Sequence, residues 1–329
     1  MCHPPMGNLI YGATLPSFII PNPCLPPMWR FFLFFSCALL PHLSNASLIQ
    51  SKWIPVPGGE LYCEISGKGQ PVILLHGYTL DRRMWDPQFL ELAKNYRAIR
   101  YDLRGYGKSR AAIDIPYSHP TDLLTLMNTL KLQRAHVIGL SLGASEGVDF
   151  LAQYPNRLLS LTVASGGVSP MPSSETATAK LRAERALRRL HQSIVSAEKW
   201  KKLGIDTYRR QWLSTLYSVC GPNRDAIWPQ VKCMVEAWSG EQRLIAEHRI
   251  RVEPPAFIRL LQPGRPHIPV LIIIGGYDKG NTASGLELAR LIPNAKCVRL
   301  PNAGHLANLE CPKKFNQTVE GFLADFSGK

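Results

Sequence analysis

The stretch that most constrains the fold of this chain is the pentapeptide Gly139-Leu140-Ser141-Leu142-Gly143, which directly follows an apolar run at residues 135–138. An apolar strand that breaks at glycine and runs into helix-forming sequence predicts a sharp strand-to-helix turn with Ser141 at its apex. Glycines at both flanks remove the Cβ atoms that would collide where strand and helix converge. Taken alone, the pattern is equally compatible with a serine in an ordinary turn, so the rest of the chain has to decide.

Short apolar runs alternate with amphipathic segments on both sides of this turn. Strands are predicted at residues 71–75, 97–101, 158–164, 269–274 and 296–300, and helices at 85–96, 121–130, 283–291 and 312–326. Continuous apolar runs are typical of parallel strands buried on both faces. Two further pieces at 53–56 and 61–65, separated by Pro57-Gly58-Gly59, indicate an antiparallel hairpin at the sheet edge. The alternation predicts an α/β fold with helices on both faces of the sheet.

Between residues 170 and 266 the alternation stops, and only amphipathic helix-like segments occur. A helical insertion between two parallel strands would lie over the carboxyl ends of those strands. We therefore expect a core domain of residues 47–169 and 267–329, with a helical cap of residues 170–266. Lys and Arg outnumber Asp and Glu at residues 180–210, which favours a solvated helix face. Two alternatives stay open: binding of an anionic substrate, and weak association with an anionic membrane surface.

The formal net charge of +14 belongs almost entirely to the chain after residue 46, since Arg30 is the single charged residue before it. Such a charge is compatible with several anionic partners. No zinc-finger spacing, RNP-like segment or basic heptad is present, so we expect no nucleic-acid partner. The histidines at 119, 191, 248 and 267 lack metal-ligand spacing, and we expect neither a metal nor a cofactor.

The N-terminal part predicts export. Arg30 precedes a short apolar stretch at residues 31–40, and small residues occur three positions and one position before a break between Ala46 and Ser47. This pattern is typical of a secretory signal peptide at residues 28–46, and the apolar stretch is short for a bilayer span. We expect translation to begin at Met28, with residues 1–27 a wrongly assigned extension. The protein would be secreted or periplasmic; an uncleaved membrane anchor is the alternative.

Five cysteines follow the predicted cleavage site, at positions 63, 220, 233, 297 and 311. In an oxidising compartment Cys220 and Cys233 could pair and close a short loop. An odd number leaves at least one thiol unpaired, and a chain of this length needs no disulfide to form a core. Buried free cysteines are therefore the favoured interpretation.

Two residues near the end of the chain would complete a site with Ser141. A serine hydroxyl needs a base within hydrogen-bond reach, and the base needs an acid to orient it. Asp278 comes just after the strand predicted at 269–274, and His305 follows the strand predicted at 296–300. The chain order serine, acid, histidine is the one expected for a nucleophile on such a turn. The other position for the acid, after the strand at 158–164, offers no carboxylate.

Stabilising the negative oxygen of a tetrahedral intermediate requires two backbone N–H groups. The candidates are Leu142, directly after the serine, and Tyr78, in the loop after the strand at 71–75. His76, in the same loop, is interpreted as a structural residue that bonds to backbone.

The chain resembles the α/β-hydrolase fold superfamily from about Lys52 to its end. The motifs that carry the resemblance occur in the family's order and spacing: His76-Gly77-Tyr78, residues 102–109, Gly139 to Gly143, Gly276-Tyr277-Asp278 and Ala303-Gly304-His305. The chain is most similar to the branch of small esterases, enol-lactonases, carbon–carbon bond hydrolases and cofactor-free haloperoxidase-like enzymes. The resemblance implies a mostly parallel, eight-stranded sheet with a helical cap, and acyl transfer through Ser141, His305 and Asp278.

The function expected from this resemblance is hydrolysis of a small-molecule carboxylic ester or lactone. Members of the fold that use an aspartate nucleophile, such as dehalogenases and epoxide hydrolases, are disfavoured by Ser141. Hydrolysis of a carbon–carbon bond in a diketone-type compound is the second enzymatic hypothesis. A non-catalytic ligand-binding member of the fold is the third.

Overall fold

The computed structural model describes residues 48–168, 179–245, 248–250, 256–262 and 267–326. The predicted extension and signal peptide lie outside these described residues. Within them, eight strands form one sheet: β1 (Gln50–Val56), β2 (Gly59–Ser66), β3 (Pro71–Leu75), β4 (Arg97–Tyr101), β5 (Ala135–Leu140), β6 (Leu158–Ala164), β7 (Val270–Gly275) and β8 (Lys296–Leu300). Their order across the sheet is β1-β2-β4-β3-β5-β6-β7-β8.

The pairing of the strands confirms the predicted sheet. β2 is antiparallel to β1 and to β4, and the other neighbours are parallel. The hairpin of β1 and β2 therefore lies at one edge. The central strands β3, β5 and β7 are almost entirely buried, as their apolar runs predict. β8 forms the opposite edge and is largely exposed.

The helices of the described residues are α1 (Asp86–Leu92), α2 (His119–Thr129), α3 (Leu142–Gln153), α4 (Ala179–Leu203), α5 (Ile205–Val219), α6 (Arg224–Ala237), α7 (Glu241–Leu244), α8 (Ala256–Leu260), α9 (Lys279–Leu291), α10 (Ala307–Glu310) and α11 (Pro312–Ala324). Several bounds differ from the prediction by one to three residues, and two differ by four. α1 ends four residues early, in a turn that Tyr96 closes by donating to the Leu92 carbonyl. α9 begins four residues early because the backbone carbonyl of Asp278 accepts hydrogen bonds from Thr282.

Alternate side chains of the sheet enter two apolar layers. In β3, Ile73 and Leu75 pack with α2 and α3, whereas Val72 and Leu74 pack with α1 and α11. This alternation follows from the two-residue period of a strand, and it places helices on both faces. The two layers hold the sheet rigid, so the loops at the carboxyl ends of its parallel strands start from fixed positions.

The segment between β6 and β7 contains α4 to α8, and we call it the α4–α8 segment. Its described residues are helical apart from short connections and one bridge between Tyr117 and Arg249. The absence of a sheet strand in this described part agrees with the predicted insertion. The division of the chain into a core and a cap domain at residues 170 and 266 stays a prediction.

The cysteines after residue 46 carry free thiols throughout the described part of the chain. Cys220 is buried and Cys233 is exposed, and they form no disulfide. The favoured interpretation as buried cysteines is right for Cys63 and Cys220 but wrong for Cys233 and Cys297, which are exposed. In the same residues, no helix combines the length and the apolar character that a membrane span needs.

Candidate active site

Ser141 occupies the single residue between β5 and α3. Its backbone angles are φ 56° and ψ −111°, in a region that residues with a side chain rarely adopt. The conformation is held from both sides, because Ser141 N donates to the Ala164 carbonyl and its own carbonyl accepts from Ser145 N. β5 ends at Leu140 and α3 begins at Leu142, so the Ser141 hydroxyl lies at the carboxyl end of the sheet, as the sequence predicts.

The two glycines flanking this turn are required by close backbone packing. A Cβ added to Gly139 would lie 2.2 Å from the carbonyl oxygen of Gly143. A Cβ on Gly143 would lie 2.1 Å from the carbonyl oxygen of Leu75, at the end of the neighbouring strand β3. Since neither backbone contact can be relieved by turning a side chain, both positions need glycine.

Three predicted side chains meet in one hydrogen-bonded chain. His305 Nε2 lies 2.9 Å from Ser141 Oγ, and His305 Nδ1 lies 2.9 Å from Asp278 Oδ2. Ser141 follows β5, Asp278 follows β7 and His305 follows β8, so three parallel strands deliver them to the same edge of the sheet. Ser141 and His305 are half-buried, whereas Asp278 is buried. The arrangement allows His305 to accept the serine proton while Asp278 orients the ring.

The electrostatics of Asp278 keep its carboxylate ionised. Burial acts to raise the pKa of Asp278, but hydrogen bonds and charge from His305, together with the Asn281 amide, outweigh it and lower the pKa. Asn281 Nδ2 donates to Asp278 Oδ1 at 3.0 Å and lies 3.1 Å from His305 Nδ1. Asn281 was not predicted from the sequence. The one feature that could have identified it is its position on the first turn of α9.

The predicted backbone donors, Tyr78 and Leu142, both line one cavity, and Leu142 directly follows Ser141 along the chain. Leu142 is the first residue of α3, and the first N–H groups of a helix have no partner within it. Tyr78 lies in the loop after β3, where the next residue, Thr79, has a φ of 63°. A donor at a helix start and a donor in a tight loop are the two groups that an oxyanion site requires.

His76 is a structural residue, as interpreted from the sequence. Its Nε2 accepts from Leu103 N at 2.9 Å, and its Nδ1 donates to the Gly77 carbonyl at 2.9 Å. Burial lowers the pKa of His76, which favours the neutral ring that these two bonds require. His76 thereby joins the Tyr78 loop to the turn after β4.

The loop that carries His305 is held by a buried carboxylate. Glu310 Oε2 accepts from Gly304 N at 2.9 Å, and Glu310 Oε1 accepts from Leu306 N at 3.0 Å, so both neighbours of His305 are fixed. Glu310 Oε2 also accepts from Gly221 N, after α5. The sequence analysis missed Glu310, because its partners are backbone groups that leave no pattern in the sequence.

Side chains of the α4–α8 segment reach the Tyr78 loop. Trp212 Nε1 donates to Thr79 Oγ1 at 2.7 Å, and the hydroxyls of Tyr78 and Tyr208 lie 3.1 Å apart. The segment therefore forms one wall of the cavity, which has a volume of about 790 Å³. Arg189, on the basic helix α4, lines this cavity. Arg189 thus faces the cavity, while the interpretation of the basic stretch at 180–210 as a solvated face stays a prediction.

Among the residues that the structure describes, no group of three or more His, Cys, Asp or Glu side chains is arranged to hold a metal ion. His248 lines the cavity, although its sequence context suggested no role. The expected absence of a metal and of a cofactor stays a prediction.

The chain is similar to known proteins over most of its length. A family model described as the alpha/beta hydrolase fold matches residues 70–312. The 3-oxoadipate enol-lactonase 1 of Acinetobacter baylyi is 26% identical over 271 residues, which are 81% of this chain and 94% of the relative.

Two solved structures share the fold over most of the chain. The enol-lactonase of Burkholderia xenovorans LB400 is 25% identical with a TM-score of 0.62, and the match covers 83% of this chain and 100% of the other. A thermophilic esterase from Thermogutta terrifontis, solved with malate bound, is 27% identical with a TM-score of 0.67; the match covers 84% of this chain and 99% of the esterase. The resemblance carried by the sequence motifs is confirmed.

Proposed function

The chain belongs to the α/β-hydrolase fold family, and from that premise we propose that it is a serine hydrolase that cleaves a carboxylic ester or lactone. The observation that carries this proposal is the hydrogen-bonded chain from Ser141 through His305 to Asp278. The names of an enol-lactonase and an esterase among the similar proteins support the substrate class.

The reaction begins with transfer of the Ser141 proton to His305 Nε2 as Oγ attacks the substrate carbonyl. Asp278, ionised and bonded to Nδ1, holds the ring in the tautomer that leaves Nε2 free to accept, and it stabilises the imidazolium that forms. The N–H groups of Tyr78 and Leu142 bind the oxygen on which negative charge develops.

Collapse of the tetrahedral intermediate expels the alcohol, which takes its proton from His305. Water then attacks the acyl-serine, with His305 as its base, and the same two N–H groups bind the second oxyanion. The acid is released and Ser141 recovers its proton. Every proton transfer in this sequence passes through His305 Nε2.

The test compares protein beginning at Ser47 with its Ser141→Ala variant on chromogenic esters from acetate to long acyl chains. We expect the wild-type protein to turn over, and kcat to fall by roughly 10⁴-fold or more in the variant, because the nucleophile is lost. Ser145→Ala, four residues further along the same helix, is the matched control and should keep its activity.

Two results would contradict the proposal in different ways. If no ester is hydrolysed but a fluorophosphonate still labels Ser141, the nucleophile is active and carbon–carbon hydrolysis of a diketone-type substrate becomes the better hypothesis. If neither occurs, a non-catalytic binding role replaces the hydrolase proposal. Export with cleavage after Ala46, and association with an anionic membrane, are predictions from the sequence that these assays leave aside.

A further inference from the structure

The cavity lined by Tyr78 and Leu142 carries positive charge. Among its described lining residues are three arginines, and none is Asp or Glu: Arg189, Arg243 and Arg249. Apolar and aromatic groups, including Leu142, form much of the remaining wall. A cavity of one charge sign with low-dielectric walls concentrates ligands of the opposite sign. The charge pattern therefore points to an anionic ligand.

The arginines differ in how their charge is used. Arg249 Nη1 lies 3.3 Å from Glu146 Oε1, so its charge is at least partly balanced by a protein carboxylate. The guanidinium carbon of Arg243 instead lies 5.4 Å from the centre of the Tyr78 ring and 4.9 Å from that of Tyr208. Ring stacking leaves the edge of a guanidinium available for a planar anion.

A second observation concerns the hydrogen bonds of Arg243. Its side chain bonds to those of Tyr208 and Tyr78. Its Nε, by contrast, is buried without a hydrogen-bond partner, and within the described part of the chain no carboxylate forms an ion pair with Arg243. Buried donors without partners are uncommon, because each costs the water contacts it has lost. Nε and one terminal nitrogen of an arginine together match the two oxygens of a carboxylate.

Arg243 also contacts a residue of the proposed oxyanion site. Its guanidinium packs on the ring of Tyr78, whose backbone N–H is a proposed oxyanion donor. The Tyr78 ring is in turn fixed by the Tyr208 hydroxyl and the Trp212 ring. Arg243 lines the same cavity as Tyr78 and Leu142, so a substrate held there by the two proposed oxyanion donors would have Arg243 in the surrounding wall.

We propose that Arg243 binds a carboxylate of the substrate, so that the enzyme selects esters or lactones that carry a negative charge. The proposal rests on the proposed serine hydrolase function and adds the substrate class. Arg189 contributes to the positive field, and Arg243 makes the direct contact.

The first experiment measures kcat/KM for two p-nitrophenyl esters of matched length, the neutral butyrate and the anionic monosuccinate. The quantity compared is the anionic-to-neutral ratio of kcat/KM. In Arg243→Met this ratio should fall by about 10- to 100-fold, the loss expected for a hydrogen bond to a charged group. Arg243→Lys should recover part of it, since the charge returns without the planar fork.

The matched control is Arg110→Met. The guanidinium of Arg110 also stacks on an aromatic ring, 4.6 Å from the centre of Trp53, but on the β1 edge of the sheet. This variant loses one positive charge and one cation–π contact without touching the cavity, so its ratio should equal that of the wild-type protein. An equal fall in both arginine variants would overturn the proposal, as would an unchanged ratio in Arg243→Met.

A binding measurement separates this proposal from the reaction. Calorimetric titration of glutarate into Ser141→Ala, with and without Arg243→Met, needs no turnover. Glutarate should bind about 10- to 100-fold more weakly when Arg243 is absent. Equal affinity in both proteins would overturn the carboxylate site. Hydrolysis of the neutral ester without any charge preference would leave the serine hydrolase function standing and refute only the substrate class.

Discussion

At Ser141 the chemistry of the site and the preference of the backbone are opposed. The angles φ 56° and ψ −111° match the first central residue of a type II′ turn, a position at which glycine is usual. Conformations of this kind cost about 1–3 kcal/mol for a residue with a Cβ. The packing of β5 and α3, with the hydrogen bonds that Ser141 makes to Ala164 and Ser145, offsets that cost.

This strain predicts an inverted order of stability for two inactive variants. Ser141→Gly should be more stable than Ser141→Ala by about 1 kcal/mol, since glycine removes the strain and both changes remove the hydroxyl. Urea denaturation of the two proteins measures the difference.

Ser145 lies on α3, the helix that follows Ser141, and has ordinary helical geometry. It therefore provides the matched control. There Ser145→Gly should be less stable than Ser145→Ala by about 1 kcal/mol, the ordinary cost of glycine in a helix. The same order at both positions would show that the turn at Ser141 is not strained.

Among the structural elements, the loop between β8 and α10 decides where His305 lies. His305 has no regular structure of its own to position it, and its N–H donates to the Val219 carbonyl at the end of α5. Its two neighbours donate to the carboxylate of Glu310. The imidazole is therefore placed by a carboxylate that touches neither Ser141 nor Asp278.

Replacing that carboxylate with an amide should disturb the reaction through geometry. In Glu310→Gln one carboxylate oxygen becomes an NH₂ group. That NH₂ group would face a backbone N–H of Gly304 or Leu306, which then has no acceptor for its hydrogen bond. We expect kcat to fall by about 10-fold with a smaller change in KM, and stability to fall by about 1–3 kcal/mol. Steady-state kinetics and urea denaturation measure the two effects.

Glu236→Gln makes the same chemical change on the exposed side of α6, where Glu236 lies 3.7 Å from Lys232. Exposed ion pairs contribute little, so both kcat and stability should stay within error of the wild-type values. A kcat of Glu310→Gln equal to that of the wild-type protein would contradict the prediction that Glu310 positions His305.

For the molecule as a whole, the described residues place several ionisable groups inside the sheet. His136, on β5, bonds to Ser160 Oγ through Nδ1 and to Gln70 Oε1 through Nε2. Burial lowers the pKa of His136 from 6.5 to about 4. Between pH 6.5 and about 4, His136 is therefore protonated in the unfolded chain but neutral in the folded protein.

The linkage gives a defined pH dependence of unfolding. The contribution of neutral His136 is fully present above pH 6.5 and is lost as the pH falls to about 4. Over that window it amounts to about 3 kcal/mol. The free energy of unfolding of wild-type protein should fall more steeply on acidification than that of His136→Gln. Parallel curves for the two proteins, measured by urea denaturation, would contradict the assignment.

Much of the fold could be predicted because its central strands are buried on both faces. The bounds of β3, β4, β6 and β8 agree with the prediction. β3 and β6 are almost entirely buried and therefore apolar along their length, whereas the largely exposed β8 was predicted from its place in the alternation of strands and helices. The last residue of α1 and the first residue of α9 could not be predicted. They depend on hydrogen bonds formed after the chain has folded, such as those from Thr282 to Asp278.

By itself, the sequence determined the α/β fold and the three side chains that meet at its edge. Ser141, Asp278 and His305 each follow a predicted strand, and the topology of a parallel sheet brings such positions together. The tertiary structure alone decided what supports and surrounds them. Arg243 and Glu310 act through partners such as Tyr78 and Gly221, more than 80 residues away along the chain. Such contacts depend on distance in space, and a single sequence records only order along the chain.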